Sequence, residues 1–171
     1  EFEKNMEVAE QKRKKEEEEK FAKELKKLRT NTVVDIEPTG KLYELFHFGS
    51  DNTDLQRKRM KDKISGKVVI WTLKVYDVSL ETETIYKIQT SGDNTVGTFV
   101  FLSPQTDKER DFIEGLKVGS IITVKGIVND IVMMHIQLKP AMLFDEKAEQ
   151  ERLAAEKAEQ VVKEIKENGG S

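Results

Sequence analysis

Few side chains of this 171-residue chain have the spacing that catalysis or metal binding requires. The two histidines, His47 and His135, belong to no His-x-x-x-His or His-Glu-x-x-His pattern, so neither is expected to hold a metal. The chain has no cysteine, which excludes disulfides, thiol catalysis and cysteine-ligated zinc. Gly115, Gly119 and Gly126 are not followed by the Gly-Lys-Ser/Thr sequence of a phosphate-binding loop. We therefore expect a protein that is not an enzyme and that carries no metal or cofactor.

Three runs rich in β-branched and aromatic residues offer a different kind of chemistry, in which an aromatic side chain stacks with a ligand and a neighbouring lysine supplies positive charge. Strict alternation puts Lys74 and Tyr76 on one side of the first run, and Lys87 and Gln89 on one side of the second. Proteins bind single-stranded nucleic acid with exposed aromatic rings in a cationic groove. The predicted ligand-binding residues on these strands are Lys74, Tyr76, Lys87, Gln89 and Phe99. Phe99 belongs to this set only if its side chain, and not that of Thr98, points outward.

Packing and solvation are the alternatives to a binding role. Core packing is the favoured interpretation of Phe99 and Phe101, and a surface position without a role is favoured for His135. A cluster of basic residues precedes the strands, and a solvated helix face is favoured for it over a phosphate clamp. The residues of this cluster that join the predicted ligand-binding set are Arg57, Lys58 and Arg59.

The charge distribution does not favour a strongly cationic surface. The whole chain carries 29 Lys and Arg against 32 Asp and Glu, a net charge of −3. Within 62–144, nine basic residues stand against ten acidic ones, a net charge of −1. Release of counterions from phosphates drives non-specific nucleic-acid affinity. The balance therefore weakens the nucleic-acid hypothesis unless a local patch is sufficient.

The apolar pattern predicts the element order β-β-β-α-β-β. The first strand is long enough to serve both sheets of a closed barrel, and this order predicts a five-stranded OB-fold, a small Greek-key barrel that presents one face to a ligand. In the last strand, Met134, Ile136 and Leu138 are expected to point inward, and Pro140 is expected to end it. The predicted strands are 67–80, 84–90, 96–102, 121–128 and 134–138.

A short helix is predicted between the third and fourth strands. Ser103 is its expected N-cap, with Pro104 at the first helical position. Phe112, Ile113 and Leu116 form the stripe that is expected to close one end of the barrel. In the strand that follows, Gly126 predicts a sharp bend or a close backbone approach.

Charged helical segments flank the predicted barrel. Residues 1–29 form a charged helical extension, for which a solvated spacer is favoured over a weak coiled-coil arm, and 30–63 form a linker and a helix leading into the barrel. The barrel domain is expected at 64–144. Residues 145–171 predict an amphipathic helix with a better apolar stripe, made of Ala154, Ala158, Val161 and Ile165.

Three segments carry a family resemblance: Leu42-Tyr-Glu-Leu-Phe46, Ile64-Ser-Gly-Lys-Val68 and Leu116-Lys-x-Gly-x-x-Ile-Thr-Val-Lys-Gly126. Together they resemble the tRNA anticodon-binding-like group of bacterial OB-fold domains, over about 42–144. That group includes small exported lipoproteins labelled as nucleic-acid-binding. The resemblance implies an OB-fold and a nucleic-acid ligand. Members often carry a cysteine in the last strand, where this chain has 139–143 without one, so no role of that cysteine transfers.

Two functions are expected from this sequence. The first is a non-catalytic module that binds single-stranded nucleic acid on the outer face of the first three strands. The alternative is a protein-interaction or assembly module, in which 145–171 mediates self-association or docks a partner protein. No hydrophobic run is long enough to cross a bilayer. The compartment stays open between the cytoplasm and the bacterial envelope, where an exported lipoprotein whose upstream signal has been removed would lie on the periplasmic side.

Overall fold

The structure, a computed structural model, describes residues 1–169. Five strands form a closed barrel in the order β1-β2-β3-β5-β4. β3 and β5 pair in parallel, and the other neighbouring strands pair antiparallel. This topology confirms the predicted OB-fold. The strands are β1 (Val68–Leu80), β2 (Tyr86–Thr90), β3 (Thr98–Leu102), β4 (Ile121–Val132) and β5 (His135–Leu143).

Three helices precede the barrel in the chain, one connects β3 to β4, and one follows β5. None of the helices within 1–169 combines the length and the apolar character needed to span a membrane. The helices are α1 (Phe2–Thr30), α2 (Lys41–Phe46), α3 (Asp54–Ile64), α4 (Asp107–Glu114) and α5 (Glu146–Asn168).

Alternation along β1 separates core from surface as predicted. Its inward residues are buried against those of the other four strands. The indole N–H of Trp71 donates a hydrogen bond of 2.7 Å to the carbonyl oxygen of Ile36, which satisfies the one polar atom of this buried ring. The same bond ties the segment before β1 to the barrel. The inward residues of β1 are Val69, Trp71, Leu73 and Val75.

α2 and α3 pack against the barrel through a few apolar side chains. Leu42, Leu45 and Phe46 of α2 are buried, as is Ile64 at the end of α3. α3 begins with a capping box, in which the side chains of Thr53 and a residue three positions later each bond the other's backbone N–H. These contacts agree with the predicted helix before the barrel.

α4 closes one end of the barrel, but two predictions about it are wrong. It begins after Thr106, whose hydroxyl oxygen accepts a hydrogen bond from the backbone N–H of Glu109, and not after Ser103. Ile113 is buried in the core, whereas Phe112 is 50% exposed. A helix of eight residues makes little more than two turns, so few of its side chains can point into the barrel.

α1 is not solvated along its whole length, which corrects the expectation of a spacer. Phe21, Leu25 and Leu28, one apolar stripe at helical spacing, are buried on the outside of the barrel. They form a second core with apolar side chains from the strands and from the β1–β2 loop, including Ile85 and Phe101. The first half of α1 is exposed.

β5 is longer than predicted, and two details of its pattern are wrong. Pro140 lies inside the strand, at an irregularity in the pairing of β5 with β3, where a missing N–H costs no ladder hydrogen bond. Ile136 and Leu138 are buried as expected. Met134 is not in the core, because it belongs to the turn between β4 and β5.

Candidate functional site

The outer face of β2, β3 and β5 gathers several predicted ligand-binding residues. Gln89 lies opposite Phe99 in the β2–β3 pairing, and Phe99 lies opposite Gln137 in the β3–β5 pairing. Opposite residues share one face of a sheet, so these side chains all point outward. We call this surface the β2-β3-β5 face and define it by Lys87, Gln89, Phe99, His135, Gln137 and Lys139.

The ring of Phe99 is the centre of this face. Its centroid lies 4.5 Å from that of the His135 ring, and the two planes are 12° apart, which is a stacked arrangement. The ammonium of Lys87 lies 4.3 Å from the same Phe99 centroid, within cation–π range. Phe99 is half-buried and packs against the second core, so the core interpretation holds for it in part, whereas Phe101 is fully buried in that core on the outer side, beneath α1.

His135 has a defined position, although its sequence context favoured a surface residue without a role. Its Nδ1 lies 2.9 Å from the carbonyl oxygen of Met133. Its ring lies over Gly97, where an added Cβ would be 2.7 Å from Cδ2 and 2.8 Å from Nε2 of the ring. Only glycine leaves room for the ring here. The signal in the sequence was the glycine two residues before Phe99, but nothing in the sequence paired it with His135.

The turn between β4 and β5 presents two methionines beside His135. Met133 and Met134 have φ values of 52° and 65°, the left-handed conformation that type I′ hairpin turns require at both central positions. Asn-Gly is the usual choice there, and non-glycine residues pay a conformational cost. Met133 is nevertheless 84% exposed. The turn therefore displays an apolar, adaptable side chain at the edge of the β2-β3-β5 face.

Charges on this face are mixed. Lys139 is paired with Glu17 of α1 at 2.8 Å, and its ammonium lies 4.9 Å from the ring of Phe101. Ser79 of β1 lies opposite Lys87, and Asp77 lies opposite Gln89, so β1 extends the face with one hydroxyl and one carboxylate. Lys87 is thus the cation of this face with no carboxylate partner among residues 1–169.

Lys74 and Tyr76 do not join this face. Lys74 lies opposite Ile121 of β4, on a different side of the barrel. Tyr76 is exposed and lies at a β-bulge between Val75 and Asp77, where the pairing with β2 shifts. Strict alternation predicted that Lys74 and Tyr76 share the ligand-binding face with Lys87 and Gln89. The bulge shifts the β1–β2 pairing, so Asp77 and not Tyr76 lies opposite Gln89.

Tyr76 instead lines a shallow cavity of about 450 Å³ between β1, β2 and the end of α4. In this cavity the Tyr86 hydroxyl donates a short hydrogen bond to a carboxylate oxygen of Glu114. That bond and the burial of the phenol raise the pKa of Tyr86. The contact fastens α4 to β2.

The basic cluster on α3 lies away from the β2-β3-β5 face. Arg57 is half-buried and donates to the carbonyl oxygen of Asn52 and to a carboxylate oxygen of Asp54, so its guanidinium is already occupied. Lys58 and Arg59 are exposed. Their prediction as ligand-binding residues is not supported by proximity to the aromatic residues.

A groove of about 1310 Å³ runs on the β1–β4 side of the barrel, between α4 and the start of α5. Its floor includes Lys125, which is only 7% exposed and takes part in none of the ion pairs within 1–169. Burial lowers the pKa of Lys125, and Glu149 of α5 partly offsets this. Glu149 is hydrogen-bonded by Arg152, which holds the pKa of its carboxyl below the ordinary range. Sequence pattern gave no sign of this buried lysine.

No described part of the chain, 1–169, holds a group of three or more His, Asp or Glu side chains arranged for a metal ion. No protein-family model matches the sequence, and no curated protein matches it either. The chain's own strands and their pairing define its class, a five-stranded OB-fold barrel with helical extensions.

Several solved structures are similar to part of this chain. One is the OBody AM1L10 bound to hen egg-white lysozyme, with 15% identity, 49% of this chain and 84% of that chain covered, and a TM-score of 0.36. Another is a lipoprotein of Klebsiella pneumoniae named for presumed nucleic-acid binding, with 15% identity, 53% and 81% covered, and a TM-score of 0.38. A third is asparaginyl-tRNA synthetase of Entamoeba histolytica in complex with asparaginyl-adenylate, with 14% identity, 48% and 21% covered, and a TM-score of 0.34.

Proposed function

We propose that this protein is a non-catalytic module that binds single-stranded nucleic acid on the outer β1-β2-β3 surface, centred on the β2-β3-β5 face. The row formed by Lys87, Phe99 and His135 is the observation that carries the proposal. It combines a cation with two stacked rings on one face of an OB-fold barrel, which is the chemistry that single-stranded ligands require.

Each part of the row has a separate role. A base can stack on the face of Phe99 opposite His135, where it displaces the Lys87 ammonium from the ring, and Lys87 then attracts the adjoining phosphate. The amides of Gln89 and Gln137 flank Phe99 and can donate to and accept from base edges. Met133 at the turn tip supplies apolar contact to a neighbouring base. The ligand is one or two nucleotides of an unpaired strand at this face.

The mixed charge of the face sets the expected salt dependence. On this face, Lys87 has no carboxylate partner among residues 1–169, and Lys139 is paired with Glu17, so the face neutralises only one or two phosphates. The slope of log affinity against log salt is then about −0.7 to −1.4, using about −0.7 per phosphate for single strands. Binding is weak compared with that of strongly basic OB-folds.

Fluorescence anisotropy with labelled single-stranded DNA and RNA of several base compositions, at low and moderate salt, tests the proposal. Phe99→Ala is expected to lower affinity about tenfold, within the range of about 1–3 kcal/mol per stacked base, and Lys87→Ala, which removes the phosphate contact, is expected to lower it by a similar factor. Lys117→Ala, an exposed lysine elsewhere on the barrel, is the matched control and leaves affinity unchanged. Circular dichroism verifies that each variant is folded.

Two results would count against this face. The first is the absence of binding to any oligonucleotide at micromolar protein. The second is binding that Lys87→Ala leaves intact and that a Lys58→Ala/Arg59→Ala double variant abolishes, because the basic surface of α3 then carries the ligand.

The alternative, a protein-assembly module, is favoured by one observation on α5. None of its residues is buried, and its large apolar side chains Leu153, Val161, Val162 and Ile165 are exposed. An apolar helix face open to solvent is typical of an interaction surface. The two functions use different parts of the chain and are compatible with each other.

A further inference from the structure

The side of α5 that faces the barrel is charged, whereas a helix that packs on its own domain normally buries its apolar side. Four of the five α5 residues that line the groove are charged, and the row among them that continues along the helix is Glu149, Arg152 and Glu156. These positions recur every three or four residues and form one side of the helix. At 100° per residue, the apolar stripe lies almost diametrically opposite them. The first half of α5 therefore turns its polar side to the groove, and the apolar stripe is exposed to solvent along its whole length.

The apolar stripe has the spacing of a short coiled-coil seam. Ala154, Ala158, Val161 and Ile165 step by four, three and four, which are the steps between d and a positions of a heptad. The seam spans about 17 Å at 1.5 Å per residue. Its side chains differ in size between the two halves, with two alanines in the first half and two β-branched residues in the second half.

This asymmetry fits a second copy of the same helix in the antiparallel direction. A two-fold axis between 159 and 160 brings Ala154 opposite Ile165 of the second copy, and Ala158 opposite Val161 of the second copy. Each large side chain then meets a small one, so both layers have similar volume. A parallel pair would instead bring alanine opposite alanine at one end and isoleucine opposite isoleucine at the other.

The charges beside the seam favour the same direction. In an antiparallel pair, residues at g positions face each other, and here these are Lys157 and Glu164. Two Lys157–Glu164 pairs form, one on each side of the two-fold axis. On the other edge, Ala155 meets Val162 of the second copy and widens the apolar contact. In a parallel pair, Lys157 faces Val162 and no charge pair forms.

We propose that α5 is a self-association surface, and that two copies of the chain pair through antiparallel α5 helices with the two-fold axis between 159 and 160. The interface is isologous and closed, so it produces a dimer and not a filament. With only two distinct apolar layers, the dimer is weak and forms at micromolar or higher concentration. The proposal is independent of nucleic-acid binding, because the β2-β3-β5 face contributes nothing to the seam.

Sedimentation equilibrium of the full chain, from low to high micromolar concentration, tests association. The apparent mass is expected to rise from 19.6 kDa towards twice that value. Val161→Glu/Ile165→Glu, two changes at exposed positions, keeps the protein monomeric without unfolding the barrel, which circular dichroism verifies. A wild-type chain that stays monomeric across this range overturns the proposal.

Charge reversal tests the pairing. Lys157→Glu brings like charges together at both pairs and weakens self-association about tenfold. Lys157→Glu/Glu164→Lys restores it. Lys163→Glu makes the same change in charge on the polar side of α5 and has no effect, so it is the matched control. Equal effects of Lys157→Glu and Lys163→Glu, or no rescue by the double variant, would refute the arrangement.

Spin labels measure the direction of the helices directly, and the absence of native cysteine makes single attachment sites available. Labels at Gln150→Cys are expected to lie about 30 Å apart along the pair, from the helical rise and the position of the two-fold axis. Labels at Gln160→Cys, close to the axis, are expected to lie within about 15 Å. Short distances at both sites mean a parallel pair and contradict the proposal.

Discussion

Replacement of Gly97 by alanine is predicted to displace a side chain from another strand. The new Cβ would lie 2.7 Å from Cδ2 and 2.8 Å from Nε2 of His135, too close for any real contact. The histidine side chain is flexible, so its ring moves and the barrel stays folded. The movement breaks the stack on Phe99, whose centroid is 4.5 Å away. Aromatic stacking contributes about 0.5–1.5 kcal/mol, so the free energy of unfolding should fall by about 1 kcal/mol.

The same change is predicted to weaken oligonucleotide binding, because the base platform includes the His135 ring. A loss of about 1 kcal/mol corresponds to a roughly fivefold lower affinity. Urea unfolding followed by Trp71 fluorescence gives the stability, and anisotropy of a labelled oligonucleotide gives the affinity. Gly92→Ala is the control: its Cβ would come no closer than 3.4 Å to Thr95, an ordinary contact, and we expect a change within about 0.5 kcal/mol.

A double-mutant cycle makes this prediction specific. His135→Ala should cost about as much stability as Gly97→Ala, and in the His135→Ala background Gly97→Ala should cost almost nothing, since no ring remains to be displaced. Additive losses in the cycle would mean that displacement of the His135 ring is not the cause, because the added methyl group would then be acting on the backbone. Unchanged oligonucleotide affinity in both single variants would show that the stack is structural only.

Three further predictions concern the barrel, the methionine turn and the link between α3 and β4. Gly126→Ala should lower the free energy of unfolding, measured by urea unfolding, by about 1–3 kcal/mol, since the new Cβ would lie 2.9 Å from Cβ of Leu138 and 3.2 Å from Cβ of Ala141. An unchanged free energy would contradict the close approach of β4 and β5. Met133→Asn/Met134→Gly should raise the thermal midpoint, because Asn-Gly suits the turn's positive φ values, while lowering oligonucleotide affinity; a gain in both would mean that the methionines play no part in binding. The bond of 2.8 Å from Lys61 holds the pKa of Asp130 below its ordinary 3.8, so this pair stabilises the protein above that value and the contribution is lost as the pH falls through the lower pKa of the folded state. Both side chains are 43% exposed, so Asp130→Asn should cost only about 0.5 kcal/mol at pH 7 and less at pH 3 in urea unfolding, and an equal cost at both pH values would exclude the ion pair as the cause.

The barrel could be predicted because its signal is local. Alternating burial along β1 and the turn residues between strands require no knowledge of distant partners. Gly126 likewise predicted either a sharp bend or a close backbone approach, and the structure has the close approach, by β5. The chain order then limited the arrangements to a few, of which the OB-fold is one.

The parts that could not be predicted depend on contacts between distant segments. Phe21, Leu25 and Leu28 form an apolar stripe that is visible in the sequence. The surface on which they pack is the outer side of the barrel, whose strands show the same alternation of residues as strands that face solvent. The bulge beside Tyr76 leaves no mark in the apolar pattern, so strict alternation misplaced that ring. Gly97 and His135 meet only because β3 and β5 pair in parallel.

Which face of the barrel meets the ligand is tested most directly by two-dimensional ¹H–¹⁵N NMR of the full chain titrated with a single-stranded oligonucleotide. Ligand binding on the β2-β3-β5 face predicts progressive shifts for the backbone amides of Lys87, Phe99 and His135, with the amides of α3 and α5 unmoved. Shifts confined to α3, to α5 or to the groove around Lys125, with Phe99 and His135 unchanged, would contradict it.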